Sequence, residues 1–236
     1  MDFEDYHKTG YGVFSLNDLI STEDIKEIDR LGDMAMTVPI NDDTYQYILS
    51  VFGFHNDPEW PFTIPVSEKA WRFEKLKENN LRATQRWYQS AQDPLQLKGP
   101  LRRIVNKFLL KIYPELSLHN IQHMDAITIY KQEDHTEVHR DGQNPGRVCV
   151  VLMYLTPESL CKEGGQLVIN GDEPAKDTDS IVVNPFRGTV AMLDFNNHNP
   201  YHGVTPVIDD FNRYCYISFV HNIDKLPPNL KPKGYP

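Results

Sequence analysis

His139 and Asp141 stand two residues apart, His202 lies far downstream, and Arg213 follows His202 by eleven residues. In an extended segment, residues two apart point to the same side of the chain. One imidazole and one carboxylate would then sit side by side. A second histidine delivered from a distant strand completes two nitrogens and one oxygen on a single face of a metal ion. Three adjacent positions stay open, a donor set that suits iron(II). Arg213 opens a stretch that reads as strand, Arg213-Tyr-Cys-Tyr-Ile-Ser-Phe-Val220. It offers a planar cation able to grip a carboxylate at two points.

Other readings compete for the same residues. His135 and His139 are four apart, the zinc-binding spacing of a helix, but Asp134-His-Thr-Glu-Val-His139 lacks the H-E-x-x-H order and is not helical in pattern. Strand periodicity would place Glu137 on the face of His139 and Asp141, making it a rival carboxylate. Two histidines and an acid also suit zinc. A zinc-dependent hydrolase would draw its general base from Glu137 and would have no use for Arg213. His119, His123, His198 and His221 have no ligand context and read as structural.

The elements that position these residues divide at about residue 115. A chain of 236 residues suits one domain with a substantial core. In the first part, Ser21 is a helix cap with acid in the following turn. Ile25, Ile28, Leu31, Met34 and Met36 give an approximately helical apolar spacing. Gly53 to Pro65 reads as a loop, and Ser67 as the cap of a helix reaching about Gln92. Pro100 stands in the first turn of a helix through Leu110, which Pro114 closes. Beyond that point, short β-rich runs broken by Gly, Asn, Asp and Pro suit an antiparallel sandwich or barrel. The acidic segment 171–179 reads as a surface loop, and 227–232 as an extended tail.

Composition bounds the partners. Twenty-four basic against thirty-three acidic residues give a net charge of −9, which argues against nucleic acid. The densest cationic run, Arg102, Arg103, Lys107 and Lys111, reads as the solvated face of a helix. No segment approaches the about 18 apolar residues of a membrane span. Three cysteines, Cys149, Cys161 and Cys215, form an odd and unpatterned set. The start, Met1-Asp-Phe-Glu-Asp-Tyr6, has no basic and then apolar run. A reduced, cytoplasmic protein is the expectation.

Taken in order, the motifs from about Ile121 to His221 resemble the Fe(II)/2-oxoglutarate-dependent dioxygenases, in particular their prolyl-4-hydroxylase-like branch. Tyr130 stands nine residues before His139, where that branch often has a tyrosine that helps hold 2-oxoglutarate. Val148-Cys-Val-Val-Leu-Met-Tyr-Leu155 is similar to the family's apolar strand after the first ligands. Gly164-Gly-Gln-Leu167, Arg187-Gly-Thr-Val-Ala-Met-Leu-Asp-Phe195 and His202-Gly-Val-Thr-Pro-Val207 resemble three later segments. Departures argue against some branches. Tyr214 and Cys215 replace the R-x-S pair of penicillin-synthase-like members. Phe219 stands where nucleobase demethylases carry a second arginine. Asp141 is an acid where halogenating members have a small residue.

The resemblance implies a mainly β fold with helices: a double-stranded β-helix (jelly roll) core spanning 116–222, a helical N-terminal support or lid over 1–115, and a tail over 223–236. It implies that His139, Asp141 and His202 hold Fe(II), and that Arg213 and Tyr130 bind 2-oxoglutarate. O2 completes the reactants, and ascorbate is a candidate reductant. The implied reaction is hydroxylation of an aliphatic C–H, in a small polar metabolite such as an amino acid or in a peptide side chain such as proline. A non-catalytic jelly-roll binding module is the remaining alternative. Arg147 and the run Asn196 to Asn199 are candidate substrate contacts.

Overall fold

Both faces of the central strands are apolar, because each faces a core of its own. Along β6 (Arg147–Tyr154), Val151 and Met153 turn to one cluster, while Val150, Leu152 and Tyr154 turn to another. Such a two-sided strand reads as one continuous apolar run. The computed structural model describes residues 3–40, 45–50, 83–88, 95–141, 146–171, 180–196, 198, 200–226, 228 and 231, with 45–50 and 83–88 as backbone alone.

The core consists of β4 (Ile121–Tyr130), β5 (His135–His139), β6, β7 (Leu167–Gly171), β8 (Ile181–Val183), β9 (Thr189–Asp194), β10 (Tyr201–Val204) and β11 (Arg213–Asn222). They pair antiparallel in the orders β9-β6-β11-β4 and β5-β10-β7-β8. These are the two sheets of a jelly roll, as the resemblance implied. Tyr130, Val150, Leu152, Leu167, Ile169, Leu193, Val204 and Ile217 fill the space between them. An additional strand, β1 (Tyr11–Ser15), extends the larger sheet beyond β9.

Helices cover the outer face of that sheet. α1 (Phe3–Thr9), the single turn α2 (Leu16–Leu19) and α3 (Thr22–Thr37) precede α4 (Lys98–Ile112). The Ser21 side chain caps α3 by accepting from the Asp24 backbone N–H. Arg187 ties this helix to the barrel, donating to the Leu155 carbonyl at 2.7 Å and meeting Asp33 at 2.8 Å. α4 buries Leu101, Ile104, Val105, Phe108, Leu109 and Ile112, the single stripe of an amphipathic helix. Pro100 is its third residue, where the missing N–H has no intrahelical acceptor to lose. The solvated face is ion-paired as a surface helix should be, Arg102 to Asp125 and Lys107 to Asp24. Phe108 is fully buried at the centre of this layer. Phe108→Ala should cost ~3–5 kcal/mol, read as a lower urea midpoint with an unchanged slope.

The N-terminal part, expected to be mainly helical, also contains strands. β1, β2 (Tyr45–Ser50) and β3 (Ala83–Tyr88) are strands. β3 falls within the helix expected from Ser67 to Gln92. It pairs with β2 and bridges the two sheets, contacting β4 through Arg86↔Ile129 and β5 through Ala83↔Thr136. The physical reason is tertiary: strand partners supplied from elsewhere override a weak local helical preference. The rest of that helix, the loop at 53–65, most of 171–179 and most of the tail lie outside the described residues. No helix among the described residues is long and apolar enough to cross a membrane.

Candidate active site

His139 and His202 meet because their strands pair. They are opposite one another in the β5/β10 ladder, with ring centroids 4.5 Å apart. The next pair along is Val204↔Thr136, so two steps on β10 correspond to three on β5. That extra residue is a β-bulge. It turns both Thr136 and His139 to the inside although they are three apart. Gly203 makes the bulge possible: a Cβ there would lie 2.8 Å from the Thr136 carbonyl oxygen and the Val138 nitrogen. The bulge also corrects the simple alternation expected from the sequence. Glu137 is not among the residues whose ligand atoms converge; those are His139, Asp141 and His202, all within 4.8 Å of one another.

The ring orientations are fixed from behind. His139 Nδ1 donates to the Glu137 carbonyl at 2.8 Å, and His202 Nδ1 to the Pro200 carbonyl at 3.0 Å. A carbonyl can only accept, so Nδ1 carries a proton in both rings and Nε2 is the atom left to face the site. His139 Nε2 faces Asp141 Oδ1 at 3.4 Å. Burial first, then the neighbouring His139, lowers His202 to about 4, which keeps it neutral. Burial works to raise Asp141, but the hydrogen bond with His139 and the nearby His202 and Arg147 outweigh it and hold it at about 2. Two imidazole nitrogens and one carboxylate converging in a largely buried place could hold a cation, and the donor set fits iron(II).

Arg213 and Tyr130 lie on β11 and β4 of the opposite sheet. They are direct partners in the β4/β11 ladder, and the guanidinium lies 4.7 Å from the Tyr130 ring centroid. Arg213 is 1 % exposed, yet its Nε and Nη2 have no hydrogen-bond partner among the described residues. A buried cation with unmet donors is costly, and the carboxylate of a bound acid fits the deficit. Tyr154, paired with Cys215 two residues from Arg213, lies under the same guanidinium at 5.0 Å, and its buried hydroxyl interacts with it. Sequence reasoning took Tyr154 only as part of an apolar strand; the available signal was its phenol at an inward position of β6. Tyr130 is positioned by a 2.9 Å hydrogen bond to Thr136. Burial first of all pushes its hydroxyl up to about 12, so it stays protonated. Gly165 (φ +70°) packs against the Arg213 stem, where a Cβ would come within 3.1 Å of Cδ. Gly164 (φ +94°) answers to a different contact, since a Cβ there would lie 2.1 Å from the Pro206 carbonyl oxygen.

The other candidates separate into two groups. Arg147 joins the site, with Nη1 3.6 Å from Asp141 Oδ2. Asn196 and His198 serve local structure: the Asn196 N–H donates to Asp194, and His198 Nε2 reaches the His7 carbonyl. Asn197 and Asn199 lie outside the described residues. His123 bridges Asn106 and Ser218 on the far side of the sheet, a structural role as expected.

Residues 126–221 match the family described as the 2OG-Fe(II) oxygenase superfamily. No curated protein matches the sequence. Among solved structures, the chain resembles a prolyl hydroxylase from Trichoplax adhaerens, determined in complex with a hypoxia inducible factor oxygen degradation domain peptide fragment. The identity is 14%, the coverage 94% of this chain and 88% of that one, and the TM-score 0.59. A Pseudomonas putida prolyl-4-hydroxylase matches at 11% identity over 93% of this chain and 96% of its own, with TM-score 0.56. A Burkholderia pseudomallei oxidoreductase of the 2OG-Fe(II) oxygenase family matches at 13% identity over 96% and 92%, with TM-score 0.59. At such identities the likeness is one of fold.

Proposed function

We propose, from the match of residues 126–221 to the 2OG-Fe(II) oxygenase superfamily, that this chain is a hydroxylase of aliphatic C–H bonds in which His139, Asp141 and His202 hold the iron. When bound, Fe(II) and 2-oxoglutarate activate O2 and supply the oxidant that takes a substrate hydrogen, releasing succinate and CO2. The chain's own residues bind, orient and shield. Arg213 pairs with the far carboxylate of 2-oxoglutarate, and the Tyr154 and Tyr130 hydroxyls donate alongside it. The apolar lining between the sheets keeps water from the reacting atoms. In this reading, 116–222 form the catalytic core and 1–115 buttress it.

The observation that carries the reading is a set of three converging donors that could hold a cation, together with a fully buried arginine on the opposite sheet whose Nε and Nη2 meet no hydrogen-bond acceptor among the described residues. A hydrolytic metal site would require no such cation. The reaction is assigned to oxygen insertion because Asp141 supplies the third protein donor that chloride would otherwise replace.

The test is a panel of free amino acids and proline-containing peptides incubated with Fe(II), 2-oxoglutarate, O2 and chloride. Succinate release and product mass are the measurements. Substrate-dependent succinate with a product heavier by one oxygen atom is expected, and the panel separates the small-molecule from the peptide class. A chlorinated product, or turnover with zinc and no 2-oxoglutarate, would overturn the assignment. Tyr154→Phe should raise the 2-oxoglutarate KM with little change in metal affinity. A hydrogen bond to a charged group contributes ~1.5–3 kcal/mol, about tenfold to more than a hundredfold in affinity.

A further inference from the structure

Asp141 is held differently from the two histidines. His139 and His202 are fixed by the β5/β10 ladder, whereas Asp141 lies two residues past the end of β5, outside any strand. Its side-chain contacts must therefore do what backbone pairing does for the histidines. The carboxylate presents Oδ1 to His139 Nε2 at 3.4 Å and Oδ2 to Arg147 Nη1 at 3.6 Å. The two oxygens thus face different partners.

Arg147 comes from the other sheet, where it opens β6 opposite His221 of β11. Its guanidinium lies 4.8 Å from the Phe219 ring centroid and 5.4 Å from that of Phe195. Its side chain is 12 % exposed. A flat cation flanked by two rings loses most of its freedom before it meets the carboxylate, and a lysine could not be held in the same way.

We propose that Arg147 is a positioning residue for Asp141: it holds Oδ2 aside so that the acid presents Oδ1 alone to the metal. The inference rests on the metal site of the preceding section and adds a reason for its geometry. Three protein donor atoms leave three positions on a six-coordinate ion, enough for a two-point 2-oxoglutarate and O2. An Asp141 bound through both oxygens would leave two, one too few. Arg147 also carries the constraint across the barrel mouth, from the larger sheet to a ligand beyond the smaller one.

The test uses Co(II) as the probe and requires no turnover. Metal-free wild type, R147Q and R147K are titrated with Co(II) by calorimetry, the visible spectrum of each complex is recorded, and 2-oxoglutarate is then added. R147Q should lose about 10–100-fold in Co(II) affinity, the range typical of partners that orient a metal ligand. Its spectrum should shift toward a higher protein donor count, its 2-oxoglutarate affinity should fall, and the melting of the metal-free protein should stay as in wild type. R147K, with the charge but not the flat stack, should fall in between. In a D141N background, R147Q should cause no further loss, because its effect runs through the carboxylate. If R147Q does not fold, F219L loosens the stack without removing charge and should weaken Co(II) to a smaller degree.

Wild-type affinity and spectrum in R147Q, or in F219L as its substitute, would overturn the proposal. So would an equal loss caused by R147Q with and without the Asp141 carboxylate. A wild type that binds no Co(II) would instead remove the metal site itself, and the positioning role with it.

Discussion

His202→Ala should yield a folded protein whose 2-oxoglutarate-dependent turnover is below detection. His202 is one of three donors that converge within 4.8 Å, and its Nε2 has no other role among the described contacts. Alanine leaves one nitrogen and one carboxylate, too few to hold iron(II) against water on a rigid face. The fold should tolerate the change. β10 remains paired on both sides, with β5 and β7, and Val204 keeps its place in the core. The lost contact is one hydrogen bond to the Pro200 carbonyl, a matter of ~1 kcal/mol. His139→Ala should behave in the same way. Metal content after desalting, melting temperature and succinate release are the measurements. Either variant consuming 2-oxoglutarate at the wild-type rate would remove that residue from the ligand set.

Arg213→Ala should separate the co-substrate from the metal. Removing one side of a buried charge pair costs ~2–5 kcal/mol, about thirtyfold to several-thousandfold in 2-oxoglutarate affinity. Metal affinity should change little, since Arg213 is not among the converging donors. The effect on stability should depend on occupancy. Without co-substrate, the buried guanidinium has two donors unmet among the described residues, so an uncharged side chain of similar length should be tolerated or even stabilising. Arg213→Met should therefore melt at or above the wild type in the absence of 2-oxoglutarate. With saturating 2-oxoglutarate the order should reverse, because only wild type gains binding free energy. Unchanged 2-oxoglutarate affinity in Arg213→Ala would reject the carboxylate assignment.

Some of this was written in local chemistry. Only a few residue types hold iron or grip a carboxylate, so His139, Asp141, His202 and Arg213 stood out by type and spacing. Arg213 also sits in an otherwise apolar run, where a lone cation is conspicuous. The β-rich second half was legible because short strands carry their turn residues with them. α4 was legible because its stripe repeats at helical period and its prolines mark both ends.

The remainder depends on which strand lies beside which. β3 carries no local mark strong enough to announce a strand; it is one because β2, β4 and β5 offer it ladders. The bulge before His139 shows only in the register against β10, and Glu137 is not among the converging donors despite its spacing. Tyr154 and Arg147 acquire roles only when the sheets close and bring β6 to Arg213 and Asp141. Side-chain chemistry is a property of the residue and can be read along the chain. Which oxygen, ring or cation it meets is set by pairing between segments far apart in sequence, and that is settled only when the barrel forms.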